Sequence, residues 1–574
     1  MQEREIRVTK QTDDDDGFEE RADQLTDEQI RTDTIVQDHF DEVNRALVSK
    51  GLTLIVGPRG CGKTHMMRFA AISCRQKASA PFAVYVSFNR YLRLEPLLSS
   101  RSDAITLFHS WVLALIALAC AEALAAVSEK FGKKLWITFP VSHDEVRKFV
   151  ERVERGTPTS DVDQTVIAAL SIQTIKDLIR DAAELADRRR SIVLLDDAAL
   201  TLTPEYLIEF FDIVRVLKAS DISPKASVYP GTTEYGPRFH ADHEGRSVPV
   251  WLSVTEPRYL DVMRDIGQRR LAGSDAVPEA VAKSLMYAAF GVPRAYLTMM
   301  RAWMDKADTT SEQAVLNQLI RDHRDARISE FKSLALKLPK LSSLVTTGVT
   351  FFASLVDVLR DANADSTTEG IQLQVGINAD GFDPLTNRML NLLIEAGLVR
   401  EEAEVSHGPD RRLRRISPHV GALIADRAIF KGRGGGARLI VDALGGKKSK
   451  HPVRRVISRL IDQGSLESLR YDLPPCQHCQ TPRLNDTQRF CHACGKKLLD
   501  GSTFTRCMAL PISEIPNLSQ FTQEALRERK IETIGSLVTM QDPGSELRKA
   551  RGVGPHRSSR VLERVNDFVD EFLS

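Results

Sequence analysis

The chain has little that would place it at or beyond a membrane. It does not open with the basic segment and apolar core of a secretory leader. Its most apolar stretch, Trp111 to Val127, is rich in alanine, contains Glu122 and falls just short of a spanning length, so a buried helix is expected there. Cysteine is scarce, eight in 574 residues, and four of the eight fall in two C-x-x-C pairs. In a chain without a leader, such pairs read as metal ligands rather than disulfides. There is no surplus of one charge either: 78 Lys and Arg stand against 77 Asp and Glu, a net of +1. That balance conceals strong segregation along the chain. These absences give the expectation of a cytoplasmic protein with no membrane partner. The length is too great for one core and corresponds to about three to five domains.

What is present is organised around residues 51 to 64. The apolar run Leu52 to Val56 fits a buried strand and breaks into Gly57-Pro58-Arg59-Gly60-Cys61-Gly62-Lys63-Thr64. This fits the phosphate-binding loop G-x-x-x-x-G-K-[ST]. Glycines let successive backbone N–H groups turn toward one phosphate, which the positive end of the next helix also faces. Lys63 is placed to reach the β- and γ-phosphates of a nucleotide, and the Thr64 hydroxyl to ligate magnesium. Apolar spacing at Met66, Met67, Phe69, Ala70 and Ile72 predicts the following helix.

Phe82 to Phe88 reads as a second strand, and residues 103 to 190 as a long helical insertion. Ser191 to Asp197 is a continuous apolar run ending in two acids, the way a buried parallel strand delivers carboxylates to magnesium. Asp196 is assigned to the magnesium shell and Asp197 to polarising the attacking water. A further strand at Ala226 to Tyr229 precedes Pro230-Gly231-Thr232-Thr233, and Thr232, with Thr233 next, is the candidate for sensing the γ-phosphate. An ordinary turn hydroxyl is the alternative.

The phosphate loop, the Asp196-Asp197 pair and Gly291-Val292-Pro293-Arg294 together resemble AAA+ ATPases of the origin-recognition (ORC/CDC-type initiator) group and the neighbouring STAND signalling ATPases. The resemblance covers roughly residues 30 to 310 and continues into the next domain. It implies ATP and Mg2+, ATP hydrolysis, and an arginine of the helical lid that contacts the γ-phosphate, here Arg294. It also makes a homo-oligomer or an AAA+ partner plausible, with Arg269 and Arg270 as guesses for an arginine finger. Where relatives carry Asp-Glu this chain has Asp197-Ala198, which bears on the hydrolysis rate.

Both ends of the chain carry segregated charge. Residues 1 to 30 are acidic, with Asp13 to Asp16, and read as a disordered tail. Residues 31 to 325 form the expected ATPase core and lid. Residues 330 to 430 read as a winged helix: helices at Phe351 to Arg360 and Pro384 to Ala396, a strand from Leu398, a polar turn, and the basic strand Arg411-Arg412-Leu413-Arg414-Arg415-Ile416. Thr386, Asn387 and Arg388 would face the DNA groove, and Arg411, Arg412, Arg414 and Arg415 the phosphates. A winged helix used only for protein contacts is the alternative. From Arg411 to Arg459 there are 14 Lys plus Arg against two acids, a net of +12, without interleaved aromatics. That is a footprint for phosphate backbone, and residues 431 to 470 read as a basic connector, with a solvated linker as the bland alternative.

Cys476-x-x-Cys479 and Cys491-x-x-Cys494-Gly495 place four thiolates for one tetrahedral, closed, structural Zn2+, resembling a zinc ribbon over residues 471 to 500. Residues 510 to 574 finish with Gly552-Val553-Gly554 between helices, resembling a helix-hairpin-helix. There the Gly552 and Gly554 backbone, helped by Arg557, would bind a phosphate without reading sequence; such domains also serve as protein adaptors.

The expected architecture is an α/β P-loop AAA+ core with a helical lid, then a winged helix, a zinc ribbon and a small helical helix-hairpin-helix domain. The expected function is an ATP-controlled DNA-binding machine. The rival is a STAND-like signalling or antiphage-defence ATPase triggered by a partner.

Overall fold

The computed structural model describes Ala22 and residues 25–573, except 35–37, 89, 95–96, 99–100, 156–159, 198–203, 232, 234, 307–310, 366–369, 407–411, 430–435, 448–451, 474, 477, 485–487, 489, 497, 499–506, 516–517, 519, 539, 541–542 and 551–552. Thr232, Arg411 and Gly552, the acidic run through Glu20, and the basic runs at 431–435 and 448–450 therefore lie outside the described residues.

Five parallel strands form the first sheet: β1 Leu52–Val56, β2 Phe82–Ser87, β3 Ser191–Asp196, β4 Ile222–Val228 and β5 Gly245–Pro249, in the order β2-β3-β4-β1-β5. Both faces are covered, which is why β3 reads as unbroken apolar sequence rather than alternating. Its Ile192 and Leu194 join one hydrophobic cluster, Val193 and Leu195 the other. The second cluster contains the insertion, helices Ala104–Ala125, Glu129–Leu135, His143–Glu154, Asp161–Ala169 and Ile172–Leu185. Helix Ala104–Ala125 is long and apolar enough to span a bilayer, but it is the centre of this bundle. Trp111 is fully buried there, its indole N–H donating to Glu154 at 3.3 Å.

The expected tail ends earlier than residue 30. Helix Asp27–Asp33 opens with a reciprocal Thr26–Gln29 capping box and buries Leu25 and Ile30 against Ile72. Asp27 pairs with Arg68 (3.2 Å) and Arg75 (3.0 Å) on helix Lys63–Gln76. Arg269 and Arg270 hold the far end of the same helix, Arg269 donating to Thr32 O (3.1 Å) and Arg270 pairing with Asp33 (3.2 Å). They are anchors of this helix, not the arginine finger guessed from sequence.

Lid helices Tyr259–Arg270, Glu279–Ala288 and Pro293–Lys306 follow, then the 26-residue helix Glu312–Lys337. A middle module continues with helix Ser342–Asp365, strand β6 Val375–Asn378, helix Pro384–Glu395, and strands β7 Val399–Ser406 and β8 Arg412–Pro418, antiparallel to one another. Helix Pro384–Glu395 stops where its sequence says it should. Gly397 takes φ +70°, and the Leu398 N–H closes back on Leu393 O at 3.0 Å.

The basic connector is not a linker. Its strand β9 Val453–Arg455 joins β6 in parallel, completing a sheet ordered β7-β8-β6-β9. Helix Ala437–Gly445 buries Ile440 and Leu444 in the main core, and Ser284 of the lid donates to Ala437 O at 3.2 Å. Asp472 closes the module by accepting the Ser343 N–H at 2.8 Å. The sequence concealed this because a few apolar residues at helical spacing sit among fourteen cations. The C-terminal helices Gln520–Glu528, Ile534–Val538, Pro543–Arg548 and Pro555–Leu573 build a separate small core. It meets the ATPase core through Arg93, which donates to Asn566 at 3.0 Å.

Candidate functional site

In open parallel α/β sheets, ligands sit outside the carboxyl ends of the strands. Here β1, β3 and β4 all deliver chemistry to that edge. The loop after β1 turns through two left-handed glycines, Gly60 (φ +85°) and Gly62 (φ +90°), and helix Lys63–Gln76 starts immediately. A methyl group on Gly62 would meet nothing within 4 Å, so there φ alone calls for glycine. At Gly60 a methyl would lie 2.9 Å from the Val292 side chain and 3.3 Å from Arg294 Cβ, so the lid seats on the loop.

Lys63 is buried, and its ammonium donates to Gly57 O (2.6 Å) and Pro58 O (3.1 Å). It also lies 4.0 Å from the centre of the Tyr229 ring. Burial pushes the Lys63 pKa down, while Cys61, Asp197 and Asp196 pull it back up. Tyr229, the residue after β4, is the partner that sequence reading missed. The sequence favoured a hydroxyl in the following turn, yet Thr233 is occupied by that turn, its Oγ donating to Tyr229 O at 2.9 Å.

Asp196 is fully buried at the end of β3 and accepts the Tyr85 hydroxyl at 3.0 Å. Burial and the Asp196 carboxylate hold the Tyr85 pKa well above the ordinary value, so the phenol keeps the proton it donates. Asp197 follows in the left-handed region (φ +56°), with its N–H on Ser227 Oγ (2.9 Å) and Asp196 Oδ1 (3.1 Å). A non-glycine residue held there is a form of strain that gathers at functional sites.

The lid arginine is positioned by a turn that only glycine can make. Phe290 and Gly291 are both left-handed (φ +53° and +80°), and a methyl on Gly291 would lie 2.0 Å from Leu252 O. The Gly291 N–H donates to Tyr259 (3.0 Å), and Phe290 O accepts the Trp251 indole (2.7 Å). Pro293 then starts the helix carrying Arg294, whose N–H approaches Gly60 O at 3.5 Å. Lys63, Arg400, Arg327 and Arg294 all bear electrostatically on Cys61, yet burial still pushes that thiol up to about 12. It is an inert thiol in a cationic nest.

The middle module lies directly over the phosphate loop, a placement without any signature in the sequence. A methyl on Gly397 would be 3.9 Å from Pro58 Cβ, and one on Gly231, beyond β4, 3.0 Å from Asn391 Cα. Arg400 of β7 donates to Trp251 O at 2.6 Å and stacks over the indole at 5.2 Å. Glu402 receives both Arg400 Nε (3.2 Å) and the Ser253 hydroxyl (3.1 Å). A cavity in this seam is lined by Pro58, Arg59, Arg327, Glu395, His323 and His419. Burial lowers His323 to about 4 and His419 further, so the seam holds two neutral imidazoles.

The residues expected to meet DNA are not equally available. Thr386 is buried and bonded to its helix cap Asp383, which corrects the expectation that it faces a groove. Arg414 is clamped bidentately by Glu401 (2.5 and 2.8 Å), donates to Asn387 (2.8 Å) and covers the Phe382 ring. Arg415 donates to Ala403 O (2.7 Å), and Arg388 is half-buried. Arg412 is exposed, and the structure adds exposed Arg454 and Arg455 on β9. In the C-terminal domain Gly554, Arg557 and Arg560 are exposed.

The four paired cysteines converge. Cys476, Cys479, Cys491 and Cys494 place their sulfurs within 4.8 Å of one another. The two knuckles match: Gln480 (φ +58°) and Gly495 (φ +67°) are both left-handed and return their N–H to Cys476 O and Cys491 O, each at 2.8 Å. Sulfur pairs at 3.5 and 3.6 Å are near the ~3.8 Å edge of a tetrahedron with zinc–sulfur bonds of about 2.3 Å. The donor set is compatible with Zn2+.

The profile of the ORC-CDC6-like family matches residues 18–219. No curated protein matches the chain by sequence. Among solved structures, the chain is similar to a Walker-type ATPase of Pyrococcus abyssi, at 12% identity over 68% of this chain and 95% of that one, with a TM-score of 0.37. It is also similar to the ORC1 protein of Aeropyrum pernix in complex with DNA (14% identity, 69% and 92% covered, TM-score 0.28). The Aeropyrum pernix ORC2 protein in ADPNP–ADP complexes is a further likeness (13%, 71% and 92%, 0.27).

Proposed function

We propose, starting from an ATPase core that is ORC-CDC6-like over residues 18–219, that the protein binds and hydrolyses ATP to control how its middle and C-terminal modules hold duplex DNA. The observation that carries this reading is the seating of the middle module on the phosphate loop through Arg400, Trp251 and Gly397. A nucleotide shifts a conformational equilibrium only through contacts that differ between the two states. Phosphates drawn to Lys63 would compete with Gly57 O and Pro58 O, and Pro58 is the residue beneath Gly397. In this reading Thr64 and Asp196 hold Mg2+, Asp197 orients water and Arg294 senses the γ-phosphate. The middle module acts as a winged helix and the C-terminal domain as a helix-hairpin-helix.

Duplex affinity measured with ATP, with ADP and without nucleotide tests the reading. Arg400→Ala is expected to bring the ATP and ADP affinities for DNA together, removing a difference of about tenfold, as for a coupling near 1.4 kcal/mol. ATP binding itself should stay within about threefold, because Arg400 holds the seam and not the loop. If the variant keeps the full nucleotide effect, the seam does not carry the coupling. If ATPase is unmoved by DNA and rises only with a protein trigger, the function is instead that of a signalling switch.

The four-cysteine module holds one structural Zn2+ in this reading. Purified protein should carry one zinc per chain, and Cys491→Ser should lose it with local unfolding while ATP turnover persists. Elemental analysis of freshly prepared protein with no zinc would refute the assignment.

A further inference from the structure

The four-cysteine module hides almost no apolar surface. Its buried cluster consists of cysteines and Leu498, while its two largest apolar side chains, Leu484 and Phe490, are 71% and 60% exposed. Their exposure is held in place by hydrogen bonds. Gln488 Oε1 accepts the Leu484 N–H (2.7 Å), and its amide nitrogen donates to Phe490 O (2.9 Å) and lies 3.3 Å from His492 Nδ1. The cysteine knuckle fixes the far side of Phe490, which immediately precedes Cys491. The result is an aromatic face presented to solvent from a braced loop.

The surroundings of that face select its occupant. From Cys476 to Leu499 four cations, Arg483, Arg489, Lys496 and Lys497, stand against one acid, Asp486. A protein partner would be met by a mixed or apolar rim, whereas a flat ring among cations suits a base and its phosphate. An aromatic side chain stacks on any unpaired base and is sequence-tolerant, because every base has a π-face. In a duplex those faces are covered by neighbouring pairs. We propose that the four-cysteine module is a binding site for unpaired nucleic-acid strands, with one base stacked on Phe490 against Leu484 and the flanking phosphates held by the module's cations. The site is separate from the duplex-binding surface of the middle module and does not depend on ATP control.

The test uses the full chain and two fluorescent probes, a 20-nucleotide oligo-dT and a 20-base-pair duplex, followed by anisotropy at fixed salt. The wild-type protein should bind the oligo-dT. Phe490→Ala should weaken that binding about 5- to 100-fold, the range for loss of one base–aromatic stack, and leave duplex affinity within twofold. Phe490→Trp should restore it, and zinc content should be unchanged in both variants. The proposal is overturned if wild type does not bind oligo-dT, if Phe490→Ala binds it normally, or if tryptophan fails to rescue. A change in self-association with unchanged oligo-dT binding would instead make the patch a protein-contact surface, and would also overturn it. Loss of nucleotide control over duplex binding would leave these outcomes untouched, so the two readings fail separately.

Discussion

Lys63→Ala is expected to weaken ATP binding by at least about 100-fold while shifting the melting temperature by only a few degrees. The ammonium is bonded to two backbone carbonyls, Gly57 O and Pro58 O, and covers the face of Tyr229. A nucleotide would exchange neutral acceptors for anionic phosphate oxygens. Hydrogen bonds to charged groups contribute about 1.5–3 kcal/mol each, so losing two accounts for about two orders of magnitude in affinity. Folding should suffer little, because burial already lowers the Lys63 pKa and makes the charge unfavourable to hold there. Titration with a fluorescent ATP analogue, alongside a thermal melt, checks both halves. Wild-type affinity in the variant would remove the nucleotide assignment, and a collapsed melt would make Lys63 a structural member of the loop.

Gly291→Ala is expected to be among the most disruptive substitutions of a single methyl group in the chain, destabilising by about 4 kcal/mol or more. A left-handed backbone costs an alanine about 1–2 kcal/mol. The larger part is steric: the new Cβ would lie 2.0 Å from Leu252 O, a backbone atom that no rotamer change can move. Relief requires the Phe290-Gly291 turn to shift, breaking the Gly291 bond to Tyr259 and the Trp251 bond to Phe290 O. Arg294 begins its helix three residues on, so ATP affinity should fall with stability, by about tenfold in the fraction that folds. Gly51→Ala is the control, since Gly51 has φ +86° but nothing within 4 Å of a new Cβ. It should cost only the conformational part. Equal melting temperatures for the two variants would show that the lid turn is not packed as described.

The parts of the candidate site legible in sequence were those whose chemistry lies within a few consecutive residues. The glycine spacing of the phosphate loop is one, because the backbone must take positive φ at Gly60 and Gly62 whatever surrounds it. The apolar run into Asp196 is another, because a strand buried on both faces has no polar alternation to hide it. The paired C-x-x-C knuckles are a third: each closes on itself through a left-handed residue just after its second cysteine. Tyr229 was missed for the converse reason. Its role depends on Lys63 arriving from the loop after β1, and nothing in the residues around Tyr229 announces that neighbour.

For the whole chain the division is the same. Sequence alone determined a phosphate-binding strand-loop-helix, an acid-terminated strand, a glycine-dependent turn before Arg294 and a four-thiol cluster. Tertiary structure decided which charges are available. Arg414 is spent on Glu401 and Asn387, Arg270 on Asp33, and Arg400 on Trp251 and Glu402, while Arg454 and Arg455 stand exposed on a strand that sequence read as connector. The physical reason is range. Backbone conformation is set by residues a few positions apart, whereas the fate of a cation depends on an acceptor that the fold brings from anywhere: 13 positions away for Arg414, 149 for the carbonyl that Arg400 reaches.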